Sequence, residues 1–143
     1  MKRQAFSLVS LLSLLLVTGS AIAQTSNLRA NVPFNFTAGE KTLPAGAYTI
    51  GAISGAPQML LLQAKDGTTR MMVASNAAEN HKPANKTKLV FNRYRDQYFL
   101  AEIWEEGAAR GRQLQKSSRE KELAKELASD LTRRQVEVVA SLY

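Results

Sequence analysis

The chain has 143 residues, 45% of them hydrophobic and 22% charged, with one histidine, no cysteine and a formal charge of +7. That length supports about one domain, and the apolar content is too high for a long disordered region. Without cysteine there is no disulfide staple, thiolate metal site, cysteine nucleophile or lipid-modified cysteine.

Met1-Lys2-Arg3 is a short basic start, followed by an apolar stretch over residues 6–17 and then Thr18-Gly19-Ser20-Ala21-Ile22-Ala23. A charged start, a greasy centre and an Ala-x-Ala ending form a secretory signal, with Ala21, Ala23 and Gln24 marking cleavage after Ala23. A transmembrane anchor is the competing reading. The stretch is interrupted by Ser10 and Ser13 and falls short of the roughly 20 residues a bilayer requires. No later stretch is long and apolar enough to span as a helix. Removing the first 23 of 143 residues leaves 120, and losing Lys2 and Arg3 takes the charge from +7 to +5. A domain of that size buries about two-thirds of its unfolded surface, enough for a core without staples.

From Leu28 to Phe36 apolar residues alternate with Arg29, Asn31, Pro33 and Asn35, the strongest strand signal in the chain. Pro33 has no N–H to donate, which places this strand at an edge with the proline on the wet side. Leu43-Pro44-Ala45-Gly46 makes a turn into a strand over 48–53, and Gly55 and Pro57 mark the next corner. Met59-Leu60-Leu61-Leu62 is apolar at every position and reads as a strand buried on both faces. Asp66-Gly67 is a hairpin signal leading to a return strand over 69–75, and a polar loop over 76–86 carries His81. A second hairpin pairs 88–94 with 97–104 through Arg95-Asp96. Residues 105–111 form a loop, and 113–115 a short strand.

Ser117 followed by Glu120 has capping-box spacing and opens a helix over about 118–132. Leu123, Leu127 and Leu131 form its narrow apolar stripe. Val136, Val138, Ala140 and Leu142 alternate with polar neighbours in a final strand over about 135–142. Continuing the helix through this tail is the poorer reading, because it is rich in β-branched valine. The fold class is therefore mainly β: an antiparallel meander of about seven or eight strands closing into a small barrel or a two-layer sandwich. One amphipathic C-terminal helix completes it, after a cleaved N-terminal signal helix. The helix stripe is expected to cover an outer face of the sheet; an oligomer interface is the competing use of the doubly apolar strands.

Val32-Pro33-Phe34-Asn35-Phe36, Leu43-Pro44-Ala45-Gly46-Ala47-Tyr48, Lys88-Leu89-Val90-Phe91, Asp96-Gln97-Tyr98-Phe99-Leu100 and Ile103-Trp104 form a set. With the late serine-opened helix, they resemble a family of small secreted β-rich proteins of acidobacterial type. The resemblance covers most of the chain after the signal, implies secretion and a β fold, and carries over no catalytic residue. Where that family's hairpin reads Tyr-Gly-Asp, this chain has Arg95 in place of the glycine, which argues against a φ > 0 turn there unless Asp96 takes it.

Little chemistry is available. His81 has no ligand partner at metal-binding spacing, no serine sits in a nucleophile elbow, and Gly107 and Gly111 do not form a phosphate-cradling loop. No metal or cofactor is expected, and no enzyme. Glu102, Glu105 and Glu106 are the only acidic cluster outside the helix and the only basis for a small carboxylate-dependent hydrolase. Tyr94, Tyr98 and Trp104 share one strand register, flanked by Arg93 and Arg95, and form a candidate ligand surface for sugar rings. Such pairs are also a common hairpin staple. Arg110, Arg112, Lys116, Arg119, Arg133 and Arg134 concentrate positive charge toward the C-terminus, a candidate patch for an anionic polymer, although Glu120, Glu122, Glu126 and Asp130 interleave as on a solvated helix face. An outer-membrane barrel is rejected, because most strands are shorter than the roughly ten residues required.

The expectation is thus a non-catalytic exported β domain of the periplasm or the extracellular space, with a binding or structural role. A glycan or anionic-polymer module is the alternative. The partner is an envelope protein, a glycan or an anionic polymer rather than nucleic acid, and oligomers remain open.

Overall fold

In the computed structural model, residues 26–128 and 134–142 are described. The expected signal segment with Ala21, Ala23 and Gln24 lies outside them, as do Leu131 and Arg133. The strands are β1 (Asn27–Val32), β2 (Phe36–Ala38), β3 (Lys41–Leu43), β4 (Gly46–Ile53), β5 (Ala56–Ala64), β6 (Arg70–Glu79), β7 (Lys88–Tyr94), β8 (Gln97–Trp104), β9 (Arg110–Leu114) and β10 (Arg134–Leu142). The single helix among the described residues, α1, spans Ser118–Glu126.

Eight strands close an antiparallel barrel in the ring order β1-β4-β5-β6-β9-β8-β7-β10, with β10 returning to β1. Of the two expected architectures, the chain therefore adopts the barrel. It is not a simple meander. After β6 the chain skips two places, so that β9 rather than β7 pairs with β6. β6 also runs on to Glu79, into the stretch expected to be loop, because residues 75–79 find a partner in 110–114.

The first strand differs most from expectation. Its alternating run breaks at Pro33, where the missing N–H ends the ladder, and β2 begins only at Phe36. β1 is not an edge strand, since β4 and β10 pair on its two sides. β5 is not buried on both faces: Leu60 and Leu62 are buried in the core, whereas Met59 and Leu61 are only half-covered. The Asp66-Gly67 corner forms as expected. Asp66 accepts bonds from the Thr68 N–H at 3.0 Å and hydroxyl at 2.7 Å, and Gly67 has φ 75°. At the β7–β8 corner Arg95 itself takes φ 56°, the conformation that glycine would have supplied without strain.

Alternating strand direction puts the β5–β6 and β7–β8 turns at one end of the barrel. The β4–β5 turn, the 80–87 and 105–109 loops, Asn27 and Leu142 fall at the other. The first end is sealed. β2 and β3 form a hairpin that leaves β1 and reaches β8 through a parallel pairing of Thr37 with Phe99, burying Phe36, Ala38 and Leu43 in the core. Phe34 stacks on Tyr98 with centroids 3.8 Å apart, and edge-to-face contacts join Phe34, Phe36, Phe91 and Tyr48. The Tyr48 hydroxyl donates to the Pro44 carbonyl at 2.6 Å.

α1 covers the outer face of β7 and β8 near the sealed end, as expected for the leucine stripe. Leu123 and Leu127 pack on Tyr94 and Phe99. Ser117 caps the helix, accepting from the Glu120 N–H at 3.1 Å. The Glu120 side chain, 3% exposed, accepts instead from the Asn92 amide at 2.8 Å and the Tyr94 hydroxyl at 3.2 Å. A residue placed for capping thus fastens the helix to the barrel wall. Glu40 in the β2–β3 turn takes up the helix end, accepting from the Ser118 N–H at 3.0 Å.

Glu120→Ala strips two buried donors of their acceptor and is expected to cost about 2 kcal/mol, read as a lower urea midpoint. Glu120→Gln keeps an acceptor oxygen and should cost less than half as much. Leu123→Ala should cost about 3 kcal/mol, in the range for a buried leucine.

Candidate functional site

The three aromatics expected to form one platform occupy three environments. A bulge at Ala101 breaks the β7–β8 register: Val90 pairs with Glu102, but Phe91 already pairs with Leu100. The slip puts Tyr98 on the core side, stacked on Phe34, and Trp104 on the outer side. Tyr94 also faces outward but lies under α1, 1% exposed. Trp104 is 7% exposed. Its Nε1 donates to Glu102 at 2.8 Å, and its ring covers Gly111, where a Cβ would come within 2.6 Å of the indole. Arg93 holds its guanidinium 5.4 Å from the Tyr98 ring centre and donates from Nε to the Arg95 carbonyl at 2.6 Å. These residues brace the hairpin.

The basic residues are likewise dispersed. Arg110 is exposed and pairs with Glu79 at 3.3 Å. Arg119 pairs with Glu122 at 3.7 Å on the helix surface. Lys116 is exposed between β9 and α1, and Arg134 starts β10 opposite Arg93, toward the sealed end. The carboxylates do not converge either. Glu102 lines a recess on the outer wall and Glu105 the open end of the barrel. Among the described residues no group of three or more His, Cys, Asp or Glu is placed to hold a metal ion.

Two recesses remain as candidates. The first is the open end itself, a cleft of about 600 Å³. Leu28, Ile50 and Leu60 form one wall and Ile103 the facing one, with Arg112 and Glu105 as its charged groups and the 54–57 turn as a lip. The loops at this end do not cover it. Loop 80–87 is tied sideways to the 105–109 loop, by Ala84 N–H to Ala108 O at 2.9 Å and Asn80 N–H to Ala109 O at 2.8 Å. Thr87, with its Oγ1 on the Glu106 N–H, completes that tether. Sequence reading placed the four apolar residues in strands and Arg112 in a surface patch; only the closed ring reveals that they share a mouth.

The second recess, about 420 Å³, lies on the outer wall between Trp104, Glu102, Gln135, Asn80 and Asn85. Lys88 and Lys86 flank it, reaching Glu137 at 2.5 and 3.3 Å. A third hollow, across the outer faces of β10, β1, β4 and β5, is an open trough floored by the small side chains of Ala47 and Thr49.

The fold and site define a small closed antiparallel barrel, sealed by aromatics at one end and open, apolar and charge-rimmed at the other. The chain matches no family model, no curated protein and no solved structure.

Hydrogen bonding from Lys88, helped by a weaker contribution from Lys86, holds the Glu137 carboxyl below its ordinary value of 4.5 against the opposing effect of desolvation. A depressed carboxylate stabilises the fold above its unfolded-state value and loses that contribution as pH falls through the folded one. Because Glu137 is 41% exposed, solvent screening keeps the effect under about 1 kcal/mol. Glu137→Gln should therefore flatten the stability profile slightly below pH 4.5 and lower stability modestly at neutral pH, as measured by urea unfolding across pH.

Proposed function

We propose that this chain is a non-catalytic, exported binding domain of the bacterial envelope, working in the periplasm or outside the cell and taking a small apolar ligand in the open end of its barrel. The observation that carries this reading is the asymmetry of the two ends. One is closed by a dedicated hairpin and stacked rings; the other leaves an apolar cleft with two charged side chains, the composition of a small-molecule site. The expected signal segment, and the motifs that resemble small secreted β-rich proteins, support export. No helix of the described residues is long and apolar enough to cross a membrane. The core clusters inside the ring, while Arg29, Asn31 and Gln63 lie exposed outside it, the inverse of a membrane-spanning barrel.

A glycan reading draws support from the outer recess, which Asn80, Asn85 and Gln135 line together with Trp104. Thermal unfolding of the processed chain against apolar amphiphiles, glycans, anionic polymers, lipids and metal ions separates the two. A ligand at 100 times its dissociation constant stabilises by about 2.7 kcal/mol, a rise of several degrees or more for a domain of this size. Apolar amphiphiles are expected to produce that rise, and Ala52→Phe, which puts a ring at a half-exposed β4 position lining the cleft, to abolish it. A rise with glycans that Gln135→Ala removes would transfer the function to the outer recess. No rise with any compound would overturn both and leave a protein partner or self-assembly.

A further inference from the structure

We infer that the ligand of the open end carries a single anionic group on an apolar body, and that Arg112 is its counter-charge. The inference rests on the open-end reading and names the chemistry of its ligand. β9 presents alternate residues to the lumen. Leu114 is buried in the core, and Arg112, two positions earlier, is on the same side. Its neighbours across the two ladders are Ile103 on β8, itself a core residue, and Ala77 on β6. Arg112 therefore lines the cleft rather than the outer surface.

The described residues offer the Arg112 side chain no partner there. Arg110 is matched to Glu79, but the Arg112 side chain makes no hydrogen bond or ion pair with another described residue. Glu105 lines the same cleft and still forms no ion pair with it. A guanidinium stays charged at any physiological pH and presents a rigid fork of donors suited to a carboxylate, sulfonate or phosphate. With apolar walls on several sides, that charge is screened less than on an open surface. An acid whose tail lies against Leu28, Ile50 and Leu60 brings its head group to this fork. Glu105 opposes the same head group and so limits how tightly it is held.

The test compares octanoate with octanol, matched in chain length, by isothermal titration against the processed protein. Octanoate should bind about tenfold more tightly, the size of one charge-assisted hydrogen bond, and the preference should shrink as salt is raised. Arg112→Gln should bring octanoate down to the affinity of octanol, and an unchanged urea midpoint shows that the variant is folded. Glu105→Gln should tighten octanoate and not octanol. Sedimentation with phosphatidylglycerol vesicles separates the two sources of such an acid. Arg112-dependent co-sedimentation assigns a lipid head group, whereas octanoate binding without it assigns a free acid. Equal affinity for octanoate and octanol, or a preference that survives Arg112→Gln, overturns the anionic ligand and leaves the open-end site standing. Binding of neither overturns the site and the inference together.

Discussion

The structure depends on where its last strand lies. β10 carries six pairs to β7 and three to β1, and without it the ring is an open sheet with two unprotected edges. Edge strands recruit other chains, and closing the ring removes them. The same closure requires the chain to travel from β9 back past β8 and β7 before it can enter the gap. That return path carries α1, and the outer face of β7 and β8 is the surface it crosses. Barrel closure and helix placement are thus one event, fixed by Glu120 against Asn92 and Tyr94 and by two leucines against the wall.

Local patterns in the sequence were legible wherever neighbours in sequence are neighbours in space. The alternation in β1, the Asp66-Gly67 corner, the 88–104 hairpin and the valine-rich last strand all follow from period and turn chemistry. Misreadings came from long-range pairing. Nothing near Asn76 to Glu79 signals that residues 110–114 will complete the ladder, so the end of a strand reads as a loop. Pro33 was correctly seen as incompatible with an interior ladder, but the chain resolves the conflict by ending the strand rather than by placing it at an edge. The Ala101 bulge has no signature in composition, and it separates Tyr98 from Trp104. Arg95, the one non-glycine with positive φ among the described residues, shows a hairpin imposing its turn on a residue that does not favour it.

The candidate site was the least legible part, for a physical reason. Leu28, Ile50, Leu60 and Ile103 are ordinary core-facing strand residues, and Arg112 looked like one more surface cation. Their convergence comes from ring order and from the different treatment of the two barrel ends. The aromatics that drew attention as a binding platform instead seal the far end or fasten the hairpin and helix. Rings with large apolar area and defined packing geometry suit that role, and with the inward-facing rings gathered at one end, the lumen at the other is walled by aliphatic side chains beside Arg112 and Glu105.

Xenon-titrated methyl spectra of residues 24–143 test the central claim, because xenon enters apolar recesses and presupposes no particular ligand. The account predicts saturable shifts confined to methyl groups of Leu28, Ile50, Leu60 and Ile103, with none at Leu123 or Leu127 beneath the helix. Shifts at the helix contact instead, or none at the four mouth residues, would contradict a barrel whose accessible apolar site is its open end.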